Sequence, residues 1–183
     1  WDELYQAAVK LRILGDFNQA IRIFDLAVQR STEFDIKEIE AEELYVKYAE
    51  THIENSNPDA ALRVLDQGIE FYPDSVNLLL EKTKLLVNLN RQREALDYLY
   101  GVLQNNPKKA RLHLRASELQ LINGNITPAI NHADQAMAIY SHSNDDSGFS
   151  SAARQAAELA FVQLQLDRAR SLLGSSTPED TPN

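Results

Sequence analysis

The chain has 183 residues, 44% of them apolar, and a formal net charge of −9 with a sequence pI near 4.9. That sign argues against DNA, RNA or an anionic membrane surface as the main partner, since each repels the chain overall. The absence of cysteine excludes disulfides, thiolate catalysis and cysteine-based zinc sites. No apolar run approaches the ~20 residues of a membrane span.

The first residues, Trp1-Asp2-Glu3-Leu4-Tyr5, lack the basic region and apolar core of a signal peptide. They read as the inside of a helix, as expected of a piece cut from a longer chain. Leu4, Ala7, Ala8 and Leu11 recur at helical spacing up to the break at Gly15-Asp16. Phe17, Ala20, Ile21, Phe24, Ala27 and Val28 then give a second apolar face. Between Glu33 and Glu43 lies an acidic run, read as a solvated helix face or as a docking patch for a basic partner. Asp35 and Glu38 have capping-box-like spacing, which predicts a helix over 36–55. Next, Asn57 caps a helix with Pro58 at its first position. Further along, Thr127-Pro128 reads as a cap and first turn, and 141–148 as a polar loop. Ala153, Ala156, Ala157 and Ala160, with Ala169, Leu172 and Leu173, give either a short helix pair or one capping helix. The tail 175–183 has no apolar residue to bury and is expected to be disordered.

One fixed period, roughly 34 residues long, runs through this pattern. Pro73 and Pro107 obey it, as do Ala61, Ala95 and Ala129. Leu44, Leu78 and Leu112 form one further series, Val46, Leu80 and Leu114 another, and Ile53, Val87 and Leu121 a third.

Gly15-Asp16-Phe17, followed by Ala20, Phe24 and Ala27, closely resembles the helix-turn-helix core of the tetratricopeptide repeat (TPR). The resemblance implies an all-α fold, a right-handed superhelix of antiparallel helix pairs forming an α-solenoid. It sets repeats at about 1–34, 42–75, 76–109 and 110–143, with a partial fifth or capping helix at 150–174, all in a single domain over 1–174.

The family docks peptides and partner helices in a concave groove lined by the first helix of each pair. Carried over by position, that groove holds Tyr5, Val9 and Arg12, then Val46, Glu50 and Ile53. Leu80, Lys84 and Val87 follow, then Leu114, Glu118 and Leu121. Repeat arrays that bind acidic chaperone tails carry a clamp of lysine, asparagine and arginine. The matching positions here are Tyr5, Val9, Lys47, Asn77 and Glu81, of which only Lys47 is basic. The resemblance therefore implies a non-enzymatic scaffold that binds a protein or peptide partner, without nucleic acid, membrane insertion or cofactor. The alternative is a structural or substrate-presenting arm of a larger enzyme or secretion assembly. Self-association through the array ends is a further option, and cytoplasm and periplasm are equally compatible.

The four histidines, His52, His113, His132 and His142, show no metal-ligand pairing at i,i+3 or i,i+4, so no metal site is expected. Lys108, Lys109, Arg111 and Arg115 form one basic cluster, too narrow for a nucleic-acid stripe. No nucleophile–base arrangement or phosphate loop stands out, and no catalytic residue is assigned.

Overall fold

A computed structural model describes residues 1–33, 38–143 and 145–174. These residues form α1 (Asp2–Ile13), α2 (Phe17–Glu33), α3 (Glu38–Glu54), α4 (Pro58–Phe71), α5 (Val76–Asn88), α6 (Gln92–Asn105), α7 (Ala110–Ile122), α8 (Ile126–Ser143) and α9 (Asp146–Gly174). No strand occurs among the described residues. Asp35, positions 36 and 37, and the tail 175–183 lie outside them, so the capping-box and tail expectations fall beyond the described structure.

One turn recurs at the end of the first helix of each pair. Gly15, Ser56, Asn90 and Gly124 all have positive φ, between 57° and 81°, and the last three are separated by one sequence period each. Each donates its N–H to the carbonyl three residues back: Gly15 to Arg12, Ser56 to Ile53, Asn90 to Val87 and Gly124 to Leu121, all at 2.9 Å. The following N–H reaches five residues back, from Asp16 to Leu11 at 3.0 Å. The same bond runs at 2.8 Å from Asn57 to His52, Arg91 to Leu86 and Asn125 to Gln120. This paired closure satisfies carbonyls that a helix end leaves open. It turns the chain within two residues, so the second helix returns along the first.

The helix starts have their own donors' partners. Asp16 Oδ1 accepts from the Gln19 N–H, Asn57 Oδ1 from Ala60 and Ser75 Oγ from Leu78, each at 3.2 Å. Two sequence expectations need correction here. The fourth turn is closed at Asn125, not at Thr127, and α8 begins at Ile126. Pro128 fits inside its first turn because no backbone N–H there has an intrahelical acceptor. Residues 141–148 are not one loop: α8 runs to Ser143 and α9 starts at Asp146. Asp145 makes the tight restart possible, its Oδ1 accepting from the Gly148 N–H at 2.8 Å.

The chain divides into two compact units, Trp1–Leu99 and Tyr100–Asn183. In the first, α1 packs on α2 and α3 on α4, and the pairs join through α2 with α3 and α4 with α5. Small residues set the approach: Ala8, Ala20 and Ala61 are fully buried, and Ala49 nearly so. A Cβ on Gly68 would lie 2.8 Å from the Tyr45 ring, so only glycine lets α4 lie so close over α3. Phe24 of α2 stacks on Tyr48 of α3 at 5.4 Å between ring centroids, binding the first pair to the second.

In the second unit, α7 packs on α8 and α8 on α9. Ala110, Ala136 and Ala152 form one buried cluster, flanked by Leu114, Met137, Ile139 and Tyr140. Ala129, Ala133 and Leu159 form another. The residues from 146 to 174 make a single helix. Beyond Leu159, none of residues 160–168 is buried.

The positive-φ turn yields a direct test. Ser56 has a Cβ that this backbone region disfavours, whereas Gly124 does not. Ser56→Gly is expected to raise unfolding free energy by ~0.5–1 kcal/mol, and Gly124→Ala to lower it by about 1 kcal/mol. Urea denaturation of the two variants measures both signs.

Candidate functional site

In the first unit, α1 and α5 each pack against α3, which sets residues of the three first helices side by side. Val46, Glu50 and Ile53 recur on α3 every three or four residues and so share one helix face. Lys84 lies on α5 at the register of Glu50, one repeat on. These four line a small open cleft of about 70 Å³, together with Ala49, Leu65, Glu81, Leu85 and Asn88. Its lining is apolar where Val46, Ala49, Leu65 and Leu85 meet. Ile53 is 43% exposed and adds an accessible aliphatic side chain to this lining.

The charges at this cleft are already engaged. Arg12 donates from Nε and Nη2 to the two carboxylate oxygens of Glu54 at 2.8 and 2.6 Å, and Nη2 lies 3.1 Å from Glu50. The hydrogen bond to Glu54 holds the Arg12 guanidinium above its ordinary pKa. Lys47 reaches Glu50 at 3.0 Å and Lys84 reaches Glu81 at 3.1 Å. Three cations therefore face three carboxylates, and the cleft presents no large field of either sign. Arg12 also ties α1 to α3, so the polar row is part of the packing.

The remaining predicted groove residues fall in different settings. Tyr5 is only 8% exposed, and its hydroxyl donates to Glu43 Oε1 at 2.6 Å. Burial, then that bond, raises its pKa well above the ordinary phenol value. Val9, Leu80 and Val87 are half-buried. Leu114, Glu118 and Leu121 sit on α7 in the second unit. There Leu114 packs on the Ala110, Ala136 and Ala152 cluster, and Glu118 accepts from Arg115 at 2.8 Å. Leu121 is exposed.

The positions matching the chaperone-tail clamp are likewise occupied by internal contacts. Asn77 donates to Glu42 at 2.6 Å, and the Ser75 hydroxyl donates to the other Glu42 oxygen. Glu42 and Glu43, the end of the acidic run, thus serve the packing of α1, α3 and α5.

Sequence spacing missed one constellation. His113 on α7 and His132 on α8 lie far apart in sequence, yet their Nδ1 atoms approach to 3.2 Å. The repeat register carried the signal. The two positions hold Tyr45 and Val64 in one repeat, Leu79 and Tyr98 in the next, and histidine twice in this one.

No protein-family model and no curated protein matches the chain. Solved structures do. The chain is similar to the nearly identical TPR-like repeats of a Podosopora anserina protein described as a putative kinesin light chain, with a TM-score of 0.59 and 14% identity over 95% of this chain and 91% of that one. It is similar to PcrH from Pseudomonas aeruginosa, with a TM-score of 0.54 and 15% identity over 68% of this chain and 95% of the other. It is also similar to the MamA protein, with a TM-score of 0.51 and 15% identity over 90% and 96% of the respective chains. The fold is that of TPR-like repeat proteins, built from helix pairs as the sequence resemblance implied.

His52, on the face of α3 turned toward α2 and α4, supplies a pH-dependent prediction. It is buried beside Tyr48 at 4.9 Å, and its Nδ1 has no hydrogen-bond partner among the described residues. Burial lowers its pKa, Asp25 opposes the shift and Arg63 adds to it. Neutral His52 is therefore favoured in the fold. Its contribution to stability is present above the ordinary value of 6.5 and is lost as pH falls below that value. His52→Leu is expected to reduce the drop in thermal midpoint between about pH 7.5 and about pH 5. An undiminished drop in calorimetry would assign the acid sensitivity to other groups.

Proposed function

We propose that this protein is a binding scaffold that holds an apolar-anchored peptide or helix of a partner protein in the cleft between α3 and α5. The observation that carries this reading is the cleft itself, where Val46, Ala49, Leu65 and Leu85 stand beside Glu50, Glu81 and Lys84, with Ile53 exposed in its lining. The likeness to TPR-like repeat proteins supports a binding role in general and leaves the partner open. The internal pairing of Arg12, Lys47 and Lys84 favours an occupant held by apolar side chains, since a charged tail would have to displace existing ion pairs. Recognition of this kind concentrates in a few buried anchors, and salt weakens it little.

Peptides selected from a displayed library against the wild-type chain supply the probe. Ile53→Glu is expected to weaken the selected peptides at least ~10-fold while circular dichroism keeps its helical amplitude. Unchanged affinity in the folded variant would rule the cleft out. Ile53 serves this test better than Leu114, whose burial against Ala110 and Ala136 makes loss of packing the first effect of substitution.

A second reading, assembly through the end of the array, is favoured by α9. Phe161 and Leu164 are 62% and 65% exposed, with Val162 and Leu166 also exposed beside them. Two copies of α9 placed antiparallel would cover the Phe161 and Leu164 row of each around a two-fold axis. Light scattering across concentration is expected to show dimers that Phe161→Ser dissociates, and a concentration-independent monomer would remove this reading.

A further inference from the structure

The His113 and His132 pair joins α7 to α8 through a direct contact between ring nitrogens. His113 is 7% exposed, and its Nε2 lies 2.9 Å from the carbonyl oxygen of Pro107. A carbonyl only accepts, so Nε2 carries the proton, and in the neutral ring Nδ1 is a bare lone pair. That lone pair accepts a hydrogen bond from the Nδ1–H of His132 at 3.2 Å. His132 is held in turn by the Tyr100 ring, stacked at 5.6 Å, and by a hydrogen bond with Gln135. The Tyr100 hydroxyl is itself fixed by Gln120. A ring nitrogen anchored to a backbone carbonyl, with the other nitrogen aimed inward, is the arrangement that orients histidine as a metal ligand.

The spacing agrees with that use. Two imidazole nitrogens about 2.0–2.1 Å from one ion, at a near-tetrahedral angle, stand about 3.3 Å apart. Among the described residues no group of three or more His, Cys, Asp or Glu gathers at any point, so an ion held here would take its remaining ligands from water. His132 is half-buried, which leaves a side from which water and an ion can enter.

We infer that His113 and His132 form an open two-histidine site for a late first-row divalent cation of the Zn²⁺ class, clasping α7 to α8. Binding moves the His132 proton from Nδ1 to Nε2 and frees the second lone pair, so neutral rings release no net proton. Imidazole pairs suit Zn²⁺, Ni²⁺ and Cu²⁺, whereas Mg²⁺ and Ca²⁺ prefer oxygen shells. The double replacement of apolar or aromatic residues at two facing positions of a single repeat supplies both nitrogens of such a site.

Zinc chloride titrated into the full chain near neutral pH, followed by calorimetry, is the test. A single Zn²⁺ is expected to bind, with affinity falling at least ~10-fold in His132→Gln and unchanged in His142→Gln. Because substitution of buried His113 threatens the fold, ¹⁵N spectra of the wild-type histidines provide the second measurement. Zn²⁺ is expected to shift His113 and His132 Nδ1 and leave His52 and His142 in place. Absence of Zn²⁺ binding, equal affinity in a folded His132→Gln protein, or shifts confined to His142 would each overturn the assignment.

Discussion

A pair of amphipathic helices cannot cover its own apolar face, and the way this chain meets that constraint governs everything else in it. The first helix of each pair must stop at a fixed place and the second must return along it. The positive-φ residue and its two backbone bonds do this at Gly15, Ser56, Asn90 and Gly124. Alanines then carry the close approach. Ala20, Ala61, Ala95 and Ala129 follow the turns at one offset, and all are fully buried. A larger side chain there would force the helices apart or off their rotamers. Repetition of the turn therefore repeats the packing, and repetition of the packing gives equivalent residues equivalent surroundings.

That equivalence turns a folding rule into a surface. Val46, Leu80 and Leu114 are all half-buried, while Ile53 and Leu121 are both exposed. The first row keeps one burial at its register, whereas Val87 is half-buried where Ile53 and Leu121 are exposed, so local neighbours count as well. In the first unit the rows meet at α3 and α5 and leave the cleft. Its polar groups were used in assembling it, because Arg12 joins α1 to α3 through Glu50 and Glu54. What is left for a partner is a mixed surface, with apolar side chains beside charges already paired within the fold. An acidic tail finds no unengaged cluster of cations at this cleft, in keeping with the mismatch at the clamp positions.

Much of the fold was legible because its signals are local and repeated. Gly15-Asp16 and Asn57-Pro58 announce turns by backbone chemistry, and the periodic series of alanines and leucines needs no tertiary knowledge. The misplaced start of α8 came from ranking Thr127-Pro128 above Asn125, although the helix tolerates proline anywhere in its first turn. The break expected over 141–148 came from its polar composition, and Asp145 shows how one capping side chain lets helices resume within such a stretch. The site was less legible. Position alone put Tyr5 in the groove, but its bond to Glu43 draws it into the core. Pairing of Arg12 with Glu54 joins side chains of different repeats, which spacing within one helix does not reveal. His113 and His132 meet across a hairpin, where i,i+3 and i,i+4 searches do not look.

The central claim, that a partner segment seats on the faces of α3 and α5, is tested most directly by hydrogen–deuterium exchange of the chain with and without a selected peptide. The account predicts added protection over residues 46–54 and 81–88, with α2 and α4 unchanged on their outer faces. Protection falling on α2 or α4, with residues 46–54 and 81–88 exchanging as in the free protein, would contradict it.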